Sequence, residues 1–393
     1  MFPIFVADRP AALRILSKLD INKHDFGILS HPYTSENFKR KFHDFKCHIK
    51  VCDSGIYQSD TLTYEELFAE YKKMGADYGI IKDYYRNRKK TRDSAQAGYK
   101  IYKKFGYDRV FKLIGVAQGN SVAEYIQSYK EQKDLGLEVV AIGGLLGRMP
   151  PEVKIASVRV ESDLVLKKVL QAIRDLYPND KLFPLGVFSK RRFDTFLEQD
   201  VWVSDYKGWI FRYNIKQSHE KGDRYEQVVK YIESEIFDEL DARPVRETPK
   251  KEIMQKQKKK RLLIMSCGKA KGDSPGRAID VYLGPTFQMV RKYLRTNNGI
   301  DVKIISAKYG IIDHKDRISP YELKLNRETA SIYGSTVSSF VSEWPKIYTD
   351  IFIVGGKTYQ SVFPTAPRDM RAEGRIGEQL SQLKRWLYST EPV

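Results

Sequence analysis

Val51–Gln58 reads VCDSGIYQ, an apolar run that passes without a break into Asp-Ser-Gly and then an aromatic residue and an amide. His48–Cys52 has the composition of a buried strand, so Asp53 stands at its carboxyl end. In a (β/α)8 barrel the carboxyl ends of the strands line the active site, which makes Asp53 a catalytic candidate. The alternative is an aspartate that caps a turn with Ser54 and Gly55.

Similar short runs flank this one at Asp25–Leu29, Asp77–Ile81, Val110–Ala117, Glu138–Gly143, Leu182–Val187 and Val201–Ser204. Between them, Thr63–Met74, Asp93–Phe105, Val122–Leu135 and Ser162–Leu176 return apolar residues every three or four positions, the period of an amphipathic helix. This alternation predicts a parallel sheet, and seven or eight βα units within residues 1–242 point to a TIM-like (β/α)8 barrel. A doubly wound sheet is the rival, because periodicity does not report closure.

The chain of 393 residues has room for a barrel and a smaller domain. Residues 243–260 divide it: Arg243–Arg261 holds nine Lys or Arg against two Glu and reads as a basic linker or an exposed charged helix. Beyond it, Arg261–Cys267, Lys303–Ser306 and Asp350–Val354 are strands that run into small or polar turns, so residues 261–393 are expected to form a smaller open α/β domain.

The formal net charge of +18 favours polyanionic partners, and the run RNRKKTR at Arg86–Arg92 concentrates part of it. Three cysteines, Cys47, Cys52 and Cys267, suggest no disulfide framework, so a reducing cytoplasm is expected. MFPIFVADRP lacks the pattern of a signal peptide, and no apolar run approaches the length of a membrane span.

Two further strand ends carry small and polar residues: Leu113–Asn120 (LIGVAQGN) and Glu138–Leu146 (EVVAIGGLL). Glycines there let a flat ligand lie against bare backbone. Asp-Ser-Gly-x-aromatic-Gln, Gly-x-x-Gln-Gly and Ala-Ile-Gly-Gly-Leu, in this order, resemble the motifs of the tRNA-guanine transglycosylases. That family is a (β/α)8 barrel that exchanges guanine in a nucleic acid for a 7-deazaguanine without breaking the chain. The resemblance implies that Asp53 is the acid/base aspartate, with Ser54 beside it, and that Tyr57 stacks on the base. It implies that Gln118 and Gly119 read the base edge, and that Gly143, Gly144 and Leu145 form the backbone of the pocket. Asp83 resembles the aspartate that grips the guanine amidine edge. Asp205, in VWVSDY, resembles the nucleophile; Asp200 is the rival, but only Asp205 follows an expected strand, Val201–Ser204.

One departure bears on the substrate. The tRNA-modifying members carry a C-x-C-x2-C cluster and a later histidine for structural zinc, whereas this chain has no cysteine between Cys52 and Cys267. Residues 261–393 carry MSCGKAK (Met265–Lys271), DVYLGPTF (Asp280–Phe287), ISAKYG (Ile305–Gly310) and SPY (Ser319–Tyr321). This pattern is similar to a domain found with the DpdA group, phage and bacterial relatives of the barrel that place 7-deazaguanines in DNA. Ser266–Lys271 has the composition of an anion-binding turn, or of a solvated basic loop. Cys267 reads as a small buried thiol rather than a nucleophile, since no histidine sits in a recognisable partner motif.

Guanine exchange in DNA, with a free 7-deazaguanine such as the 7-cyano form as cosubstrate and no metal or organic cofactor, is therefore the expectation. Exchange in tRNA and a catalytically inactive nucleic-acid-binding barrel are the alternatives.

Overall fold

The computed structural model describes residues 1–145, 155–215, 222–243, 260–297, 299–334, 337, 344, 348–364, 366 and 370–389. Most of the basic linker, 244–259, lies outside them. The chain divides into two compact units, one of 1–119, 127–146 and 177–249, the other of 120–126, 147–176 and 250–393.

The first unit is a TIM-like barrel of eight parallel strands. They are β1 (Phe2–Val6), β2 (Gly27–Ser30), β3 (Ile49–Cys52), β4 (Tyr78–Ile80), β5 (Lys112–Ala117), β6 (Val139–Ile142), β7 (Phe183–Pro184) and β8 (Val203–Tyr206). Their order, β7-β6-β5-β4-β3-β2-β1-β8, leaves a seam between β7 and β8 that is closed by few bonds. Leu182 and Val201 form a parallel bridge, and Trp202 N–H donates to Leu182 O at 3.0 Å. Pro184 has no N–H to give, and its carbonyl accepts from the Ser204 hydroxyl at 2.7 Å. Strands β2 and β6 are buried along their whole length, as in a sheet covered on both faces.

Two strands differ from expectation. FPIFV at the amino terminus, read only for targeting signals, is β1, and it pairs with both β2 and β8. Its Pro3 and its lack of alternation hide it among apolar segments. The last strand runs over Val203–Tyr206 rather than Val201–Ser204, so Asp205 lies within β8, in register with Ile4.

The helices follow their patterns. Tyr64–Lys73 opens with a Thr63–Glu66 capping box, and Arg88–Lys104 is capped by Asn87, whose Oδ1 accepts from Lys90 N–H at 3.0 Å. The basic run Arg86–Arg92 thus forms the entry to a helix that starts five residues earlier than Asp93. Helix Ile155–Leu176 groups with the second unit, where it packs on the Arg317–Ile318 strand with Leu166, Val169, Leu170 and Ile173 buried.

The second unit carries β9 (Lys260–Ser266), β10 (Gly276–Arg277), β11 (Ile300–Ser306), β12 (Gly310–Asp313), β13 (Arg317–Ile318) and β14 (Tyr348–Val354). Its main sheet has the order β12-β11-β9-β14, with β11 and β14 parallel to β9 and β12 antiparallel. Leu262–Met265 are fully buried, which fits the central place of β9.

Candidate active site

The carboxyl rim of the barrel gathers the acidic groups. Asp53 follows β3 directly, and its N–H donates to Ser30 O at 2.7 Å, which fixes the strand-end loop against β2. Asp83 lies just beyond β4 and is 5% exposed; Gln118 follows β5 and is 1% exposed. Gly143–Leu145 follow β6, and Gly143 N–H donates to Ala117 O at 3.0 Å. Asp205, 8% exposed, comes from β8. Asp53, Asp83, Gln118, Gly143 and Asp205 are thus brought to one end of one barrel.

Gln118 and Asp83 are bonded to each other. Gln118 Nε2 donates to Asp83 Oδ2 at 2.6 Å, and its Oε1 accepts Arg86 N–H at 2.9 Å. With both ends of its amide engaged, Gln118 orients Asp83. Gly143 abuts the pair: a Cβ there would stand 2.5 Å from Gln118 Nε2 and 3.3 Å from Asp83 Oδ2. Gly119 and Leu145 are buried beside this rim, and Gly144, at φ +69°, turns the chain in the left-handed region where glycine is favoured. Across the bowl, Asp205 Oδ1 accepts Gly186 N–H at 2.5 Å, so the nucleophile candidate also bridges the β7–β8 seam.

Burial raises all three carboxyls. It lifts Asp83 to about 7, with the charge of Asp53 adding to the rise and the Gln118 bond opposing it. It lifts Asp205 to about 6; the Gly186 amide opposes this and Asp53 adds to it. Asp53 is also raised by burial, against the amides of Ser54 and Gly55 and the charge of Lys207. Asp83 and Asp205 thus both feel the charge of Asp53, a coupling found where acid and base roles are divided.

Other predicted residues are placed less centrally. Ser54 is buried behind Asp53, while Tyr57 lies in the turn beyond Gly55 and is 51% exposed. Asp200 is exposed at φ +45°, ahead of β8 and so toward the opposite, amino-terminal end of the strand from the rim. It does not join the cluster.

The sequence reading missed four rim residues. Arg86, at φ +51°, ties three loops through its N–H to Gln118 and its Nε to Gly144 O at 3.4 Å. Lys207, directly after β8, is the cation whose charge reaches both Asp53 and Asp205. His31, after β2, is lowered by burial and also feels Lys207 and Asp8. Asp8, beyond β1, pairs with Arg9 at 2.7 Å. Their position at strand ends was the available signal, but only for strands already located.

Among the described residues, no group of three or more His, Cys, Asp or Glu is arranged to hold a metal ion, and no helix is long and apolar enough to cross a membrane.

Residues 262–385, in the second unit, match a family of unknown function (DUF6884). No curated protein matches the chain. A solved structure titled "Native KDPGal structure" is 8% identical, with 61% of this chain and 97% of that one covered and a TM-score of 0.37.

Proposed function

We propose that the protein exchanges guanine in DNA for a 7-deazaguanine base through a covalent aspartyl–sugar intermediate. The observation that carries this reading is the set of three buried carboxyls, Asp53, Asp83 and Asp205, on one barrel rim, with Asp83 oriented by Gln118 and backed by the bare backbone of Gly143.

Asp205 is the nucleophile. Its carboxylate attacks C1′ as the C1′–N9 bond breaks, which traps the oxocarbenium character as an ester. The Gly186 N–H, just after β7, donates to this carboxylate and opposes the rise that burial causes, which favours the ionised form. Asp53 gives its proton to N9 of the departing guanine. It then takes the N9 proton of the incoming deazaguanine, whose nitrogen attacks C1′ and releases Asp205. A carboxyl raised by burial holds a proton more readily, which suits a group that both gives and takes one. Asp83, once ionised, accepts the N1–H and exocyclic amino group of guanine together, a donor pair that adenine lacks.

Support for DNA as the polymer comes from the net charge of +18, the basic stretch Arg243–Arg261 and the missing cysteine cluster. The target base must leave its stack to reach a barrel rim, so unpaired sites react more readily than duplex ones. The test is incubation of the full chain with labelled guanine and either single-stranded DNA, duplex DNA or tRNA, with label counted in the polymer. Label in DNA at a rate at least about tenfold above tRNA, ~1.4 kcal/mol of transition-state preference, is the expected result. Preference for tRNA overturns the choice of polymer, and no incorporation into any polymer overturns the reaction.

A further inference from the structure

The second unit holds a crevice that the barrel chemistry does not use. In its sheet, β11 lies on one side of β9 and β14 on the other, so the chain passes from β9 to β11 on one side and later returns across the sheet to place β14 on the other. The gap between the carboxyl ends of β9 and β14 is thus a topological switch point, the place where open α/β sheets bind ligands. A cavity of about 300 Å³ opens there, lined by the loop after β9, the segment 322–325 and the turn after β14.

Four lysines from these three segments face it: Lys269, Lys271, Lys324 and Lys357. Glu322 is the one acidic residue that lines it among the described residues. Among the described residues none of the four lysines is in an ion pair; Lys269, Lys324 and Lys357 are exposed and Lys271 is half-buried, and they reach the cavity from three separate segments of the chain. Lys271 is held in place: its Nζ lies 4.6 Å over the Tyr321 ring and reaches Lys269 O at 3.4 Å. Beneath it, the Tyr321 hydroxyl bonds Ser306 Oγ at 2.7 Å and the Tyr282 hydroxyl at 2.9 Å. Tyr359 ties the walls together, since its hydroxyl oxygen accepts from the Cys267 thiol at 3.2 Å and from Leu325 N–H at 3.4 Å.

A solvated basic loop needs no such frame. Unpaired cations converging on a concavity leave a strong positive field that an anion would neutralise, and a volume near the lower end of the ligand-pocket range fits a small one. We propose that this crevice binds the phosphate of a mononucleotide-sized phosphomonoester, either a free nucleotide or the 5′-phosphorylated end of a strand. The site is built wholly from residues of the second unit, so it stands or falls apart from the barrel reaction.

Cys267 lines the cavity and supplies the readout. The full chain is treated with iodoacetamide, and alkylation of Cys267 is followed by peptide mass mapping in the presence of thymidine 5′-monophosphate, thymidine, inorganic phosphate, or a short oligothymidylate with or without a 5′-phosphate. The nucleotide is expected to slow alkylation at concentrations where thymidine has no effect, with inorganic phosphate protecting more weakly. Lys271→Gln and Lys357→Gln should each raise the half-protecting concentration about tenfold, the loss of one charge-assisted bond, with unchanged melting temperature. Protection by the 5′-phosphorylated strand at lower concentration than the mononucleotide assigns the site to strand ends; the reverse order assigns it to free nucleotides. Thymidine protecting as well as its monophosphate, protection that is indifferent to the 5′-phosphate of the strand, no protection at all, or wild-type protection in both lysine variants would overturn the proposal.

Discussion

Asp83 receives its hydrogen bond from Gln118 Nε2 at 2.6 Å, and Gln118 is itself held by the Arg86 peptide N–H at 2.9 Å. The chain Arg86–Gln118–Asp83 joins the loops after β4 and β5, so the orientation of one carboxyl depends on residues from two strand ends. Because that carboxyl is raised to about 7, its charge at neutral pH is finely balanced.

If Asp83 reads guanine as proposed, binding of the base should rise with pH. A protonated Asp83 cannot accept both donors of the base, so affinity should grow about tenfold per unit below pH 7 and level off above it. Gln118→Leu removes a donor that favours the ionised form and should move this rise to higher pH. Titration of base affinity by calorimetry between pH 5 and 9 decides it; a flat profile excludes Asp83 as the reader of the base edge.

Asp83→Asn should abolish base recognition yet stabilise the fold at alkaline pH. The folded carboxyl, raised from 3.8 to about 7, holds a proton that the unfolded chain has released. Its contribution is fully present below pH ~4 and is lost as pH rises through about 7, at ~1.4 kcal/mol per pKa unit as an upper bound. The melting temperature of the variant should exceed that of the wild type at pH 8 by more than at pH 5. An equal difference at both would show that Asp83 does not titrate in this range.

Asp205→Ala is expected to remove any denaturant-stable protein–DNA adduct, while Asp200→Ala, altered at the far end of β8, leaves it intact. Gel mobility after denaturation reads the adduct directly. Adduct formation by Asp205→Ala, or its loss in Asp200→Ala, reverses the assignment.

For Asp53→Asn, an amide cannot take the proton of the incoming base, and exchange should fall by at least about a hundredfold in a folded protein. Exchange of labelled guanine at the wild-type rate would take Asp53 out of the mechanism.

Gly143→Ala tests the pocket wall. A methyl placed 2.5 Å from Gln118 Nε2 must displace the Gln118–Asp83 pair, so KM for the base should rise about tenfold with kcat less affected. Unchanged KM would mean that the base does not lie against this backbone.

Much of this arrangement was legible locally. Alternation of apolar runs with helical periods pointed to a parallel α/β fold, with the barrel preferred over a doubly wound sheet. Polar or glycine residues at the ends of β3, β5 and β6 marked Asp53, Gln118 and Gly143, while Asp83 after β4 was singled out only by the family resemblance. The three parallel strands of the second sheet were visible in the same way, each an apolar run that ends in a small or polar turn. Other features had no local trace. β1 is a strand because β2 and β8 lie on both sides of it. The local preference for Asp205 over Asp200 rested on a strand expected at Val201–Ser204, whereas pairing with β1 sets β8 at Val203–Tyr206 and places Asp205 within it, in register with Ile4. The raised carboxyls, the reach of Lys207 and the link from Arg86 through Gln118 to Asp83 likewise sum contributions from residues distant in sequence. Periodicity is a property of neighbours along the chain, and the sequence determined what depends on it; closure, desolvation and charge coupling depend on which segments meet in space, and only the tertiary structure decided those.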